Sequence, residues 1–373
     1  MKVGIRACLF GILTAFGVIA GGPSAKAGAP TAIFPIPGGF YGSGPTSNLV
    51  ADPAGNLYGV TYDGGGSNYG TVFELSPPIP PSTAWTETLL HVFAGFDGRY
   101  PQGGLARDAA GNLYGTAGSV FKLSPPAQGS TAWTFTVIGG ASLTGGYAFE
   151  GRMILDGSGN LYGTTENSGL KPSCCNGGKY VPACCGVVFK LSPPAGGTGP
   201  WTETVLHTFK NSDGNEPQTD LVFDGSGNLY GVAPYGGGSS AVCGKLGCGV
   251  AFELSPPVRG SSAWTEKTIY HFVGGASGST PITVTYQNGK LYGPADAGGS
   301  QGQGALFVLT LAKNKWSEAA DSLTGYAGTE SSELWVPPGS LVTDPAVSGG
   351  ATFYGVTFRG GSTGNGTVFS WTP

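Results

Sequence analysis

Charge is scarce in this chain. Only 11% of its 373 residues are Asp, Glu, Lys or Arg, where an ordinary soluble domain carries about 25%. The 18 basic residues are outnumbered by 22 acidic ones. That balance excludes nucleic acid and anionic membrane as partners, because both demand concentrated Lys and Arg. Histidine (three) and methionine (two) are nearly missing. There is no Ser/His/Asp arrangement, no phosphate loop and no nucleotide fingerprint, and Gly64-Gly65-Gly66 precedes a strand-like run rather than a helix. Nothing here calls for a cofactor or a metal.

Long apolar runs are equally few. Ala7 to Ala20 follows Lys2 and Arg6 and leads to Ala25-Lys26-Ala27, an A-x-A cleavage pattern. The run is shorter than the roughly 20 residues a membrane span needs. Residues 1–27 therefore read as an export signal and 28–373 as one mature domain. Removing the signal takes three basic residues and no acidic one, leaving 15 against 22 and a formal charge of −7. Cys8 goes with it. Cys174, Cys175, Cys184, Cys185, Cys243 and Cys248 remain. An even count in an exported chain points to disulfides, and adjacent Cys-Cys pairs are awkward tetrahedral zinc ligands. Cys243 with Cys248 is the simplest bridge; the connectivity of the other four stays open. No tail anchor follows Trp371. The expectation is a secreted or periplasmic soluble monomer, free of the membrane after cleavage.

What is plentiful is Gly (69) and Pro (28), about a quarter of the chain. They recur at fixed places between Val, Leu, Phe, Tyr and Thr runs, as in a turn-rich β protein. One unit reads Leu-x-x-Asp-x-x-Gly-Asn-Leu-Tyr-Gly, a Gly-rich gap, Gly-x-Val-Phe-x-Leu-Ser-Pro-Pro, then Trp-Thr-x-Thr. Its Tyr-Gly element falls at Tyr58, Tyr114, Tyr162, Tyr230, Tyr292 and Tyr354, and such repetition governs every other reading. In the unit from residue 103, strands are expected at 104–107, 112–116, 119–123 and 133–138. Asp108 to Asn112 makes the first hairpin, since Asp bonds back to its own turn and Gly supplies positive φ. Ser124-Pro125-Pro126 ends the third strand, because Pro cannot donate to a ladder. Four short antiparallel strands per unit describe a propeller blade.

The last unit lacks a fourth strand, and the mature N-terminus supplies one. Ile33-Phe34 stands 56 residues before Leu89-Leu90, and the same offset aligns Gly42 with Gly98, Pro45 with Pro101 and Asp52 with Asp108. The expected fold is all-β, a six-bladed propeller whose sixth blade is closed by the N-terminal strand, which leaves no unpaired edge.

The pattern Asp-Gly-x-x-Pro-x-x-x-Leu, Gly-Asn-Leu-Tyr-Gly, Gly-Gly and Gly-Thr-Val-Phe-x-Leu resembles the GloVer (Gloeobacter/Verrucomicrobium) tandem repeat of bacterial choice-of-anchor exported proteins. It is clearest from Asp97 to Phe121 and from Asp213 to Phe252. The resemblance implies an exported propeller-like protein and no particular activity. No sorting segment follows the repeats, so release is expected rather than surface attachment.

The loops from second to third strand, and from fourth strand to the next first strand, share one face around the channel, where propellers place their working groups. Ligand-contact candidates there are Tyr62, Asp63, Asp97, Asp213 and Tyr235, with Trp335 near the sixth unit. Arg99, Tyr100, Glu166, Glu216 and Asp296 share these loops. Asp97 and Asp213 form a candidate carboxylate pair. His91, His207 and His271 hold a repeated fourth-strand place in different units, too far apart to share a metal, and read as structural. The repeat Tyr and Trp read as inter-blade packing, with Trp316 and Trp335 less regular. Asp52, Asp108, Asp156 and Asp224 read as turn stabilisers, since one carboxylate per turn falls short of a calcium loop. The functional expectation is a non-catalytic binder of a glycan or surface protein. An extracytoplasmic lyase, hydrolase or lactonase-like enzyme, or a structural surface component, are the alternatives.

Overall fold

The computed structural model describes residues 36–45, 49–139, 151–166, 186–197, 199–258, 261–299, 304–313, 315–322, 342–343, 353–357 and 367–372. These residues form six antiparallel sheets. The first holds β1 (Ser43–Pro45), β2 (Val50–Ala51), β3 (Leu57–Asp63), β4 (Thr71–Ser76) and β5 (Thr86–Val92). The second holds β6 (Ala106–Arg107), β7 (Leu113–Thr116), β8 (Val120–Ser124) and β9 (Thr134–Gly139). The third holds β10 (Ile154–Leu155), β11 (Leu161–Thr165), β12 (Val187–Ser192) and β13 (Thr202–Thr208). The fourth holds β14 (Val222–Phe223), β15 (Leu229–Ala233), β16 (Val250–Ser255) and β17 (Thr265–His271). The fifth holds β18 (Ser279–Pro281), β19 (Thr285–Gln287), β20 (Lys290–Ala297), β21 (Ala305–Ala312) and β22 (Lys315–Ser322). The sixth holds β23 (Val342–Thr343), β24 (Phe353–Thr357) and β25 (Thr367–Trp371). The strands of the second unit lie within two residues of their expected places. Among the described residues no helix is long and apolar enough to cross a membrane.

The first four sheets are built on one recipe. The Asp of the first hairpin accepts from the Asn amide N–H, the Asn side chain and the Tyr hydroxyl. For Asp108 these are Asn112 N at 2.8 Å, Asn112 Nδ2 at 2.7 Å and Tyr114 Oη at 2.9 Å. Asp52, Asp156 and Asp224 repeat the set. Burial alone would raise these carboxyls; the hydrogen bonds outweigh it and hold each below the usual carboxylate range. The Gly after each Tyr is sterically required. A Cβ at Gly115 would lie 2.5 Å from Phe121 Cζ, because the Phe paired across the ladder lies over it.

Neighbouring sheets lock through aromatic pairs. Tyr58 meets Trp133, Tyr114 meets Trp201, Tyr162 meets Trp264 and Tyr230 meets Trp316, all edge-to-face with centroids 6.0 Å apart. Trp316 is thus a regular member of the repeat, contrary to the sequence reading. Tyr292 finds Trp371 at the same 6.0 Å. Trp371 stands on the third strand, opposite Phe353, where the other sheets have Leu75, Leu123, Leu191, Leu254 and Leu309. Among the described residues Tyr292 thus takes its Trp from a third strand, where Tyr58, Tyr114, Tyr162 and Tyr230 take theirs from the fourth-strand segment of the next unit.

The first-strand edges of successive sheets converge. A Cβ at Gly103 would sit 2.7 Å from the Gly151 carbonyl oxygen, and one at Gly151 would strike the Thr219 carbonyl. The sequence-expected closing strand, Ile33-Phe34, lies outside the described residues, as do residues 1–27.

Candidate functional site

One place in the repeat is both strained and variable. The residue before the repeat Pro has left-handed backbone in four units: Gly44 (φ 61), Tyr100 (φ 51), Glu216 (φ 56) and Thr280 (φ 59). A side chain there costs about 1–2 kcal/mol, and Gly44 shows that the turn works without one. Tyr100 and Glu216 take this place on the loop-bearing face in spite of that cost, which is how functional side chains are commonly held.

Glu216 is the centre of the polar set. It is only 8% exposed, and its neighbour Asn215 is 1% exposed with neither side-chain Nδ2 nor Oδ1 partnered among the described residues. The Asn215 backbone pairs with Tyr235, which carries Glu216 in against the end of β15. Burial, and then the nearby Glu166 carboxylate, push the Glu216 carboxyl up. The Tyr235 hydroxyl is raised by burial and by Glu216, Asp296 and Glu166 in turn. These four groups from the third, fourth and fifth sheets thus share one electrostatic neighbourhood. Further along the first-strand edge, Arg152 N–H donates to Asp220 Oδ1 at 2.7 Å, and Arg152 Nε lies 3.6 Å from Asp220 Oδ2. Burial raises the Asp220 carboxyl, and Arg152 opposes it.

The first and second units give the same face an aromatic character. Tyr62 stacks on Tyr100 with centroids 4.9 Å apart, and Tyr69 meets Tyr100 edge-on at 5.7 Å. The repeat-equivalent Phe40 and Phe96 are exposed, 57% and 92%.

The sequence-expected residues fare unequally. Tyr62 and Tyr235 take part in these groups. Asp63 reaches Asn68 Nδ2 at 3.5 Å, within its own turn. Asp97 and Asp213 do not form a pair: each serves its own loop. Asp97 accepts from Ala94 N at 2.8 Å and meets His91 Nε2 at 3.0 Å; Asp213 accepts from Lys210 N at 2.7 Å and meets His207 Nε2 at 3.2 Å. Cys243 and Cys248 are disulfide-bonded, which suits an oxidising compartment. Trp335, Cys174, Cys175, Cys184 and Cys185 lie outside the described residues. Glu166, Glu216 and Asp296 were visible in the loops but not distinguished there. The one usable signal was Glu immediately before Pro217 where sister units carry Gly, Tyr and Thr.

A cleft of about 560 Å³ opens on the opposite face between the third and fourth sheets, lined by Asp156, Tyr162, Phe223, Asp224 and Trp264. Its polar groups are the turn Asp residues already spent on the hairpins, so it belongs to the architecture.

No family model and no curated protein matches the chain. Solved structures do. A gluconolactonase from Xanthomonas campestris is similar at 13% identity over 89% of this chain and 87% of that one, with a TM-score of 0.44. A puromycin-hydrolyzing peptidase from Mycobacterium tuberculosis is similar at 13% identity over 88% of this chain, though only 45% of that longer one, with a TM-score of 0.50. A PL25 ulvan lyase is similar at 8% identity over 87% and 77%, with a TM-score of 0.36. The likeness at a TM-score of 0.50, with 13% identity, speaks for the propeller-like fold alone and leaves activity to the chain's own residues.

Proposed function

We propose that this protein is an exported propeller enzyme that cleaves a glycosidic or lactone linkage of a sugar-derived substrate at the mouth of its channel. Glu216 acts as proton donor and Glu166 as the partner carboxylate. The observation that carries the reading is the buried Glu216 carboxyl, raised by burial and by Glu166. A carboxyl held protonated by burial beside a second carboxylate can serve as the acid of an acid–base pair. Tyr235 and Asp296 hold the remaining polar contacts, and Tyr62 with Tyr100 offers a stacking wall for a sugar ring. On the sequence alone a binder was preferred; the shielded carboxyl reverses that order.

The architecture that supports this reading is a ring of six blades over residues 28–373, acting as a monomer after loss of residues 1–27 and built from GloVer-like repeats. Glu87 favours closure. Both its carboxylate oxygens are buried without a partner among the described residues, at the repeat place where Glu318 takes the Tyr270 hydroxyl of the preceding sheet at 2.7 Å. In a closed ring the N-terminal strand would face Glu87.

The test is a turnover screen of the mature protein on polysaccharides and sugar lactones, read as new reducing ends, unsaturated products or released acid. Glu216→Gln should lower kcat by about 100-fold or more with an unchanged melting temperature. Because the raised Glu216 carboxyl must stay protonated, activity should persist to higher pH than an ordinary Glu would allow. If no substrate turns over while a glycan array shows binding, the catalytic reading fails. The second reading, a non-catalytic binder of a glycan or surface protein, then takes its place. The exposed Phe40 and Phe96 beside the Tyr62–Tyr100 stack favour it.

A further inference from the structure

The fourth strands of adjacent sheets meet at a second polar place. His207 is the penultimate residue of β13, Asp213 lies in the loop that follows, and Glu266 comes from β17 of the next sheet. One ligand atom from each of the three lies within 4.8 Å of the others, and all three residues are half-buried. The arrangement is assembled from repeat parts. His91 and Asp97 reproduce the His–Asp contact one unit pair earlier, at 3.0 Å against 3.2 Å. There the facing residue is Phe135, whose ring stacks on His91 at 3.9 Å and seals the place. Among the described residues, an imidazole and two carboxylates converge only where Glu266 stands in place of that aromatic.

We propose that His207, Asp213 and Glu266 form a site for a divalent cation of the zinc class. Two ligands about 2.1 Å from a metal lie about 3.0–3.4 Å apart at octahedral or tetrahedral angles, and the 3.2 Å between His207 Nε2 and Asp213 Oδ2 falls in that interval. Glu266 closes the set by a side-chain rotation. Supporting bonds orient the carboxylates: Lys210 N donates to Asp213 Oδ1 at 2.7 Å, and Thr268 Oγ1 donates to Glu266 Oε1 at 3.1 Å. One nitrogen and two oxygens suit zinc, cobalt or manganese, whereas calcium demands six or more oxygens. The site bridges two sheets, so an ion bound there clamps the third to the fourth. It is independent of the proposal for Glu216.

Mature protein stripped with chelator is titrated with Co2+ and then Zn2+, read by visible absorption and calorimetry. The expected result is one Co2+ per chain with weak d–d bands, displaced by Zn2+. Glu266→Phe, which copies the Phe135 junction, and the isosteric Glu266→Gln should each weaken binding at least tenfold. His91→Ala should leave it unchanged. Absence of binding in the wild type, wild-type affinity in both Glu266 variants, loss on His91→Ala, or a thiolate charge-transfer band assigning the metal to cysteine would each overturn the proposal.

Discussion

Tyr114→Phe isolates one hydrogen bond and leaves the packing in place. The ring keeps its edge-to-face contact with Trp201 at 6.0 Å, while the 2.9 Å bond from Tyr114 Oη to Asp108 Oδ2 is lost. A hydrogen bond to a charged acceptor is worth about 1.5–3 kcal/mol. Asp108 is half-buried rather than sealed, so solvent screening places the expected loss at the lower end, about 1.5 kcal/mol. Tyr58, Tyr162 and Tyr230 make the same bond in separate sheets. The four losses should add to about 6 kcal/mol, because the sites share no partner. At about 2.1 cal/mol/K per residue, one substitution lowers the melting temperature by about 2 °C and four by about 8 °C. The pH dependence follows from the Asp side. The folded Asp108 carboxyl lies below its usual value, so its stabilisation is complete above the unfolded value near 4 and drains away as pH falls through the folded one. The Tyr114→Phe deficit should therefore be full at pH 7 and shrink in acid, where a protonated Asp108 is the weaker acceptor. Urea denaturation at both pH values measures it. An equal deficit at both, or none at pH 7, would refute the assignment.

Two further outcomes are expected. Gly231→Ala places a Cβ into Phe252 and 2.9 Å from Leu221 Cδ2, and overpacking of this kind costs about 1–3 kcal/mol. Adding Phe252→Leu should recover part of the loss in the same denaturation assay, and no recovery would show that the ring is not the obstacle. Trp371→Leu restores the residue that other sheets carry at this place but removes the edge-to-face contact of Tyr292, which keeps only its Phe353 contact at 4.4 Å among the described residues. About 2 kcal/mol should go; a neutral effect in thermal melts would mean that Tyr292 gains nothing from Trp371.

The local order of this protein is written in short stretches of chain. The Asp-x-x-Gly-Asn-Leu-Tyr hairpin spans seven residues, and each of its hydrogen bonds joins groups no more than six residues apart. Turn, strand and period were therefore legible without coordinates, as was the Cys243–Cys248 bridge. What only the tertiary structure decided is which side chains meet across sheets. Glu266 faces His207 from 59 residues away, and Glu216 senses Glu166 from 50. Such pairs depend on how adjacent sheets splay, and no residue pattern states that angle. The Asp97–Asp213 pairing failed for the same reason: each carboxylate found a nearer partner in its own loop. Repetition makes every unit read alike along the chain, whereas chemistry needs the places where neighbouring units differ, and those acquire meaning only when the sheets stand side by side.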